Sequence, residues 1–208
     1  MPPSGRSQVF PADDPAAFEK ALEVLRAGGL VAFPTDTVYG LGALAFDVEA
    51  VASLYLAKGR GAEKAIPVLL GEAGEMDRVA LPSEMARRLA QAFWPGPLTL
   101  VVVKRPELPE AVSSTGTVGV RVPDHPAALR LLRASGPLAV TSANRSGGPS
   151  PRTADEVRAE LDDRIPLILD GGTSPGGRPS TVVDCTGGAP VVLRKGPVTL
   201  EQLQGALG

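Results

Sequence analysis

The sequence is poorest in the side chains that most often do protein chemistry: it has one cysteine and one histidine among 208 residues. The single Cys185 allows no internal disulfide and fits a reducing, cytoplasmic setting. With His125 as the one histidine, a zinc site of Cys and His ligands is nearly excluded, and no metal ligand is assigned. A Ser-His-Asp triad would need His125, but no G-x-S-x-G elbow accompanies it, and it precedes Pro126 at an expected helix start. Aromatic residues amount to only 4% and are scattered, so there is no platform for stacking single-stranded bases. No apolar run approaches the ~18 residues of a membrane span. The opening MPPSGRSQVF lacks the apolar stretch of a secretory leader. A net charge of -2 argues against a general nucleic-acid binder, yet leaves room for a basic pocket. The expectation is a cytoplasmic protein with no membrane partner.

What the chain does have is aliphatic bulk and many turn residues: 43% hydrophobic residues, 24 glycines and 21 prolines. Asp14 before Pro15 marks a helix start, with Phe18, Leu22 and Leu25 on one stripe and Gly28 as the stop. Asp47 opens a second helix that Gly59 ends, and Ser83 opens a third, closed by the WPGP turn. PAALRLLRA and the closing TLEQLQGAL read as helices, and Thr153 with Glu156 reads as a capping box for DEVRAEL. LVAF (30–33), AIPVLL (65–70), LTLVVV (98–103), VGVRV (118–122), PLAVT (137–141), PLILD, STVVDC and PVVLR read as strands. Some strands follow one another without an intervening helix. That predicts an α/β fold with a mixed sheet and helices on its faces, in one domain over 1–208 with a core at about 15–205. Residues 1–8 are expected to be a flexible N-terminus. The Pro/Gly-rich stretches 144–152 and 171–180 each follow a strand and read as functional loops.

Two glycine motifs fail on context. GLGALA (40–45) matches G-x-G-x-x-A but does not sit at a strand-to-helix elbow. GTSPGGRP (172–179) starts like a P-loop, but arginine and proline stand where lysine and Ser/Thr are needed. Cys185, inside VVDCT, reads as a small buried hydrophobe.

KGRGAEK (58–64) places three cations in seven residues between a helix and a strand. Solvation alone is the ordinary explanation of such a run. However, further cations and hydroxyls stand at strand ends: Thr35, Thr37, Thr117, Arg121, Thr141, Ser142, Asn144, Ser150, Ser180 and Arg194. Each alone would usually satisfy local backbone groups or sit at the surface. Together they suggest a site that holds anions, as phosphoryl or nucleotidyl transfer requires.

Seven stretches in order carry a resemblance: FPTDTVYGLG (33–42), KGR with KAIPV (58–68), FWPGPLTLV (93–101), TVGVRVP (117–123), TSANRSGGPSP (141–151), STVVD (180–184) and VLRKG (192–196). The chain resembles the YrdC-like threonylcarbamoyl-adenylate synthases in a short, single-domain form. The resemblance implies a twisted mixed sheet around a deep, positively charged cavity. It implies that L-threonine, bicarbonate and ATP, with Mg2+, give threonylcarbamoyl-AMP and pyrophosphate for N6-threonylcarbamoyladenosine at tRNA position 37. By the family's pattern Lys58 and Arg60 are the catalytic pair and contact phosphates. Thr117, Ser142, Asn144, Ser150 and Arg194 fall on ATP positions. Thr35, Lys64, Arg121, Thr141 and Ser180 fall on threonine positions, with the Arg121 fork suited to the carboxylate. Gly61 replaces the proline usual after K-x-R. Implied partners are tRNA or the proteins that later transfer the group to it. Competing readings are a double-stranded RNA or tRNA-binding module without chemistry, and a carbamoyl-adenylate-forming domain of the hydrogenase-maturation type.

Overall fold

The computed structural model describes residues 6–59, 61 and 65–208. Its first half runs β1 (Gln8–Pro11), α1 (Pro15–Arg26), β2 (Val31–Phe33), β3 (Gly40–Leu44), α2 (Val48–Lys58), β4 (Val68–Leu69), α3 (Met76–Val79), β5 (Ala80–Leu81) and α4 (Glu84–Phe93). The second half runs β6 (Leu98–Lys104), β7 (Thr117–Arg121), α5 (Pro126–Ser135), β8 (Leu138–Ser142), α6 (Ala154–Leu161), β9 (Leu167–Asp170), β10 (Thr181–Asp184), β11 (Val191–Arg194) and α7 (Leu200–Leu207). All strands join one sheet in the order β1-β9-β2-β3-β8-β4-β7-β6-β10-β11, with β5 beside β6. Parallel pairs (β1/β9, β2/β9, β4/β7, β6/β10) mix with antiparallel ones. This is the mixed α/β sheet that the element order predicts.

Local chemistry fixes most boundaries. Asp14, Asp47 and Ser83 accept backbone N–H bonds as N-caps of α1, α2 and α4. Gly59 caps α2 in the left-handed region, at φ 59°. Thr153 caps α6, but the expected box does not close: the Glu156 carboxylate accepts from the Arg152 N–H at 2.5 Å, one residue before the cap. The closed box is at α7, where Thr199 and Gln202 exchange bonds.

The first five residues of GLGALA form β3, a strand not expected from the sequence. Glycine is depleted in strands, yet a Cβ at Gly40 would lie 2.7 Å from Val140 Cγ1, and one at Gly42 2.9 Å from Phe33 Cε1. Both glycines admit neighbours that any side chain would exclude.

The expected flexible segment 1–8 is also corrected at its end. Ser7 is buried, its hydroxyl bonded to the carbonyls of Asp162 and Ile165 at 2.8 Å each, and Gln8 pairs with Leu167 in β9. The two carbonyls share the one hydroxyl hydrogen, and the Ser7 N–H donates to Asp162 O at 2.8 Å, which ties this part of the chain to the sheet.

Helices cover the two sheet faces unequally. On one face α1 and α5 pack Phe18, Leu22, Leu25, Leu131 and Leu132 over Val31, Phe33, Leu69, Val140 and Leu169. On the other, residues of α2, α4, α6 and α7 join Leu98, Leu100, Val102, Val118, Val120 and Val183. Strand alternation then turns Thr99, Val101, Thr117, Gly119, Arg121 and Val182 toward the first face. There the α1/α5 cluster contains no residue of β6, β7, β10 or β11. Among the described residues no helix covers this half of the face, and the cavity opens on it.

Past β11 the chain turns hard against the sheet: a Cβ at Gly196 would lie 2.3 Å from Thr181 N and 2.6 Å from Ser180 C. Backbone cannot yield as a side chain can, so Gly196→Ala should destabilise by about 1–3 kcal/mol, the range of overpacking. Thermal unfolding checks this, with Gly187→Ala, which meets nothing within 4 Å, as the silent control.

Candidate active site

The bare half-face is the floor of a cavity of about 360 Å³. Its floor is Thr99, Val101, Gly119, Arg121 and Val182, and its walls come from Thr35, Thr37–Gly40, Val140–Ser142, Ser150 and Pro179–Ser180, with Arg194 at the β11 side. Of the expected site residues, Thr35, Arg121, Thr141, Ser142, Ser150, Ser180 and Arg194 line it. Among the described lining residues there are two guanidiniums and no carboxylate.

Arg121 is the most tightly held of these. It is only 5% exposed, and its Nε donates to Gly96 O (2.9 Å), its Nη1 to Thr37 Oγ1 (3.0 Å) and its Nη2 to the Asp36 carboxylate. The WPGP turn therefore serves this residue by presenting the Gly96 carbonyl. Burial pulls the Arg121 pKa below its ordinary value; Asp36 pushes it back up and nearby Arg194 pushes it down. Burial likewise lowers that of Arg194. A desolvated cation with a second cation nearby is stabilised by an incoming anion.

Arg194 is braced by Ser180, whose carbonyl accepts from Nε and whose hydroxyl accepts from Nη2, both at 3.1 Å. The Ser180 hydroxyl also meets Thr99 Oγ1 at 2.7 Å.

The hydroxyls at the cavity wall have assigned directions. Thr35 donates its one hydroxyl hydrogen to Val38 O at 2.7 Å. In the 3.0 Å contact between Thr35 and Thr37 the hydrogen must then come from Thr37. Thr35 holds the turn, and Thr37, which the family pattern did not mark, connects that turn to Arg121. Polar signals existed for both in the TDT triplet.

Three expected residues lie elsewhere. Lys58 does not line the cavity; it is buried at the end of α2, where Nζ donates to Ser142 O (2.5 Å) and Asn144 O. Asn144 is buried too, its amide donating to the carbonyls of Arg145 and Gly148 at 2.8 Å. Lys58 thus holds the segment that carries Ser142 into the cavity. Thr117 shares the face of Gly119 and Arg121 by strand alternation but lies outside the lining, bonded to Thr115. Arg60 and Lys64 lie outside the described residues.

Both expected loops frame the opening. The N–H groups of Gly176 and Gly177 donate to the carbonyls of Asp36 and Thr37, and Ser146 N–H donates to Lys58 O. Tyr39 anchors the base of the 171–180 loop through Gly172 O at 2.8 Å. His125 starts α5 without lining the cavity, and burial pushes its pKa down against the opposing Asp36 and Asp124. Cys185 is free and buried.

Comparison with known proteins decides the family. The Sua5_yciO_yrdC model, described as "Telomere recombination", matches residues 23–196. The chain belongs to this family. A Mycobacterium tuberculosis relative is 48% identical over 191 residues, covering 90% of this chain and 88% of its own length. The Bacillus subtilis threonylcarbamoyl-AMP synthase is 44% identical over 193 residues, covering 91% of this chain but only 56% of its own. Among solved structures, Pyrococcus abyssi Sua5 complexed with L-threonine superposes with a TM-score of 0.89 at 42% identity, covering 92% of this chain and 57% of that one. The chain thus spans little more than half of two longer Sua5-family relatives and most of a shorter one.

Burial raises the Tyr39 pKa from 10.0 to about 12 and that of the Cys185 thiol from 9.0 to about 12. Both groups hold protons more tightly when folded, so their contribution is complete below the unfolded value and is lost as pH rises through the folded one. Denaturant midpoints should therefore fall between pH 9 and 12, and Tyr39→Phe should flatten the part above pH 10.

Proposed function

We propose that the chain is an L-threonylcarbamoyladenylate synthase. The observation that carries the reading is a cavity with two braced guanidiniums, a ring of hydroxyls and no carboxylate among its described lining residues. Its family includes relatives named threonylcarbamoyl-AMP synthase and a structure holding L-threonine. In this reading Arg121 receives the threonine carboxylate, with Thr141 and Ser180 beside it. Arg194, Ser142 and Ser150 face the triphosphate, with Thr117 at the rim. Lys58 holds the Ser142–Asn144 segment in place, and Arg60 and Lys64 act on phosphates and substrate from the 58–64 connection.

The reaction needs no protein nucleophile. The threonine amine condenses with bicarbonate to a carbamate, releasing water. A carbamate oxygen attacks the α-phosphorus, the bond to the bridging oxygen breaks, and pyrophosphate leaves. The protein supplies position and positive charge, which account for most catalysis in such transfers. Mg2+ is proposed as the companion of ATP. Among the described residues no cluster of three or more His, Cys, Asp or Glu could hold it, so the fit rests on the triphosphate oxygens and not on a protein cage. The product would serve adenosine-37 modification in tRNA through downstream transfer proteins.

The test is pyrophosphate release from ATP with purified protein and no RNA. It should require both threonine and bicarbonate, and carbamoyl phosphate should not replace them. Release that needs RNA, or ignores threonine, would overturn the proposal. Lys58→Ala releases the segment that carries Ser142 and should reduce turnover by at least about a hundredfold, the scale on which a misplaced binding group costs. Its far-ultraviolet circular dichroism should stay unchanged.

A further inference from the structure

We infer that Asp36, which does not line the cavity, is the positioning residue that makes Arg121 a receptor for a substrate carboxylate. The inference deepens the proposed function and rests on it. Asp36 accepts from Arg121 Nη2 and, with the same Oδ1, from the Asp124 N–H at 3.1 Å. Its backbone carbonyl accepts from Gly176 N–H at 3.0 Å. One residue in the β2–β3 turn thereby joins β7, the start of the α5 connection and the 171–180 loop.

The arithmetic of the guanidinium gives this tie its purpose. An arginine carries five N–H donors: one on Nε and two on each terminal nitrogen. Gly96 O takes the Nε hydrogen, Thr37 takes one from Nη1 and Asp36 takes one from Nη2. Among the described residues nothing else accepts from this guanidinium, so one N–H remains on each terminal nitrogen, the number a carboxylate engages in a two-pronged pair. Without Asp36 the Nη2 side has no acceptor among the described residues, and the plane of the group is held there on one side only. Asp36 also sets the charge: it offsets part of the Arg121 cation, so the fold tolerates the buried charge while Arg194 still leaves a positive excess for an anion.

The test separates position from charge. Asp36→Asn keeps an Oδ1 acceptor for both Nη2 and the Asp124 N–H, whereas Asp36→Ala and Asp36→Ser cannot reach. In pyrophosphate release, Asp36→Ala should raise the threonine KM at least about tenfold while the ATP KM stays within about twofold. Asp36→Asn should restore the threonine KM to within about threefold of the wild type. Asp36→Ser should behave as Asp36→Ala and stands in for it if the alanine variant does not fold. An unchanged threonine KM in Asp36→Ala, a parallel rise in the ATP KM, or an Asp36→Asn as defective as Asp36→Ala would overturn the inference. In each of those cases an active wild type leaves the proposed function standing. A wild type without threonine-dependent turnover would overturn both.

Discussion

A buried cation governs the design of this molecule. Taking a guanidinium out of water costs several kcal/mol unless hydrogen bonds and opposite charge offset it. Arg121 meets that demand with a carbonyl, a hydroxyl and a carboxylate drawn from two separate turns. The WPGP turn, the TDT triplet and the β7 strand are locked to one another through this one side chain. The same partners that stabilise the charge also fix the direction in which its remaining donors point.

The cavity itself is a consequence of unequal cover. In β6 the alternation of Leu98, Leu100 and Val102 with Thr99 and Val101 sends the larger apolar set into the core cluster. The other set would need a helix above it to be buried, and α1 and α5 stop over β4 and β8. A sheet face with Thr99 and the bare backbone of Gly119, flanked by Ser180, is therefore left for a ligand. The glycines serve close approach: Gly40 and Gly42 let β3 lie against Val140 and Phe33, which brings the turn carrying Thr35 to Tyr39 onto the cavity wall.

Much of this was legible in the chain. The caps at Asp14, Asp47 and Ser83, the left-handed stop at Gly59 and the mixed sheet follow from local residue chemistry. The strand β3 was not, because glycine reads as a strand breaker until its neighbours are known. The box at α6 failed because Glu156 has a competing donor in Arg152 N–H, a contact that sequence spacing does not reveal. In the candidate site, family motifs indicated seven residues that line one cavity. They did not indicate that Lys58 would be turned into the Ser142–Asn144 carbonyls, or that Asp36 and Thr37 would brace Arg121. Bracing contacts depend on which turns meet in space, and that is set by sheet order.

The central claim is that one bare half-face of the sheet receives both an amino acid and a triphosphate. Its most direct test is a crystal structure of the protein with L-threonine and a non-hydrolysable ATP analogue bound together. The account predicts the threonine carboxylate on Arg121 and the phosphates between Arg194 and Ser142, both above Thr99 and Gly119. Ligands seated elsewhere, for instance against α1 and α5, with Arg121 still bonded only to Asp36, Thr37 and Gly96, would contradict it.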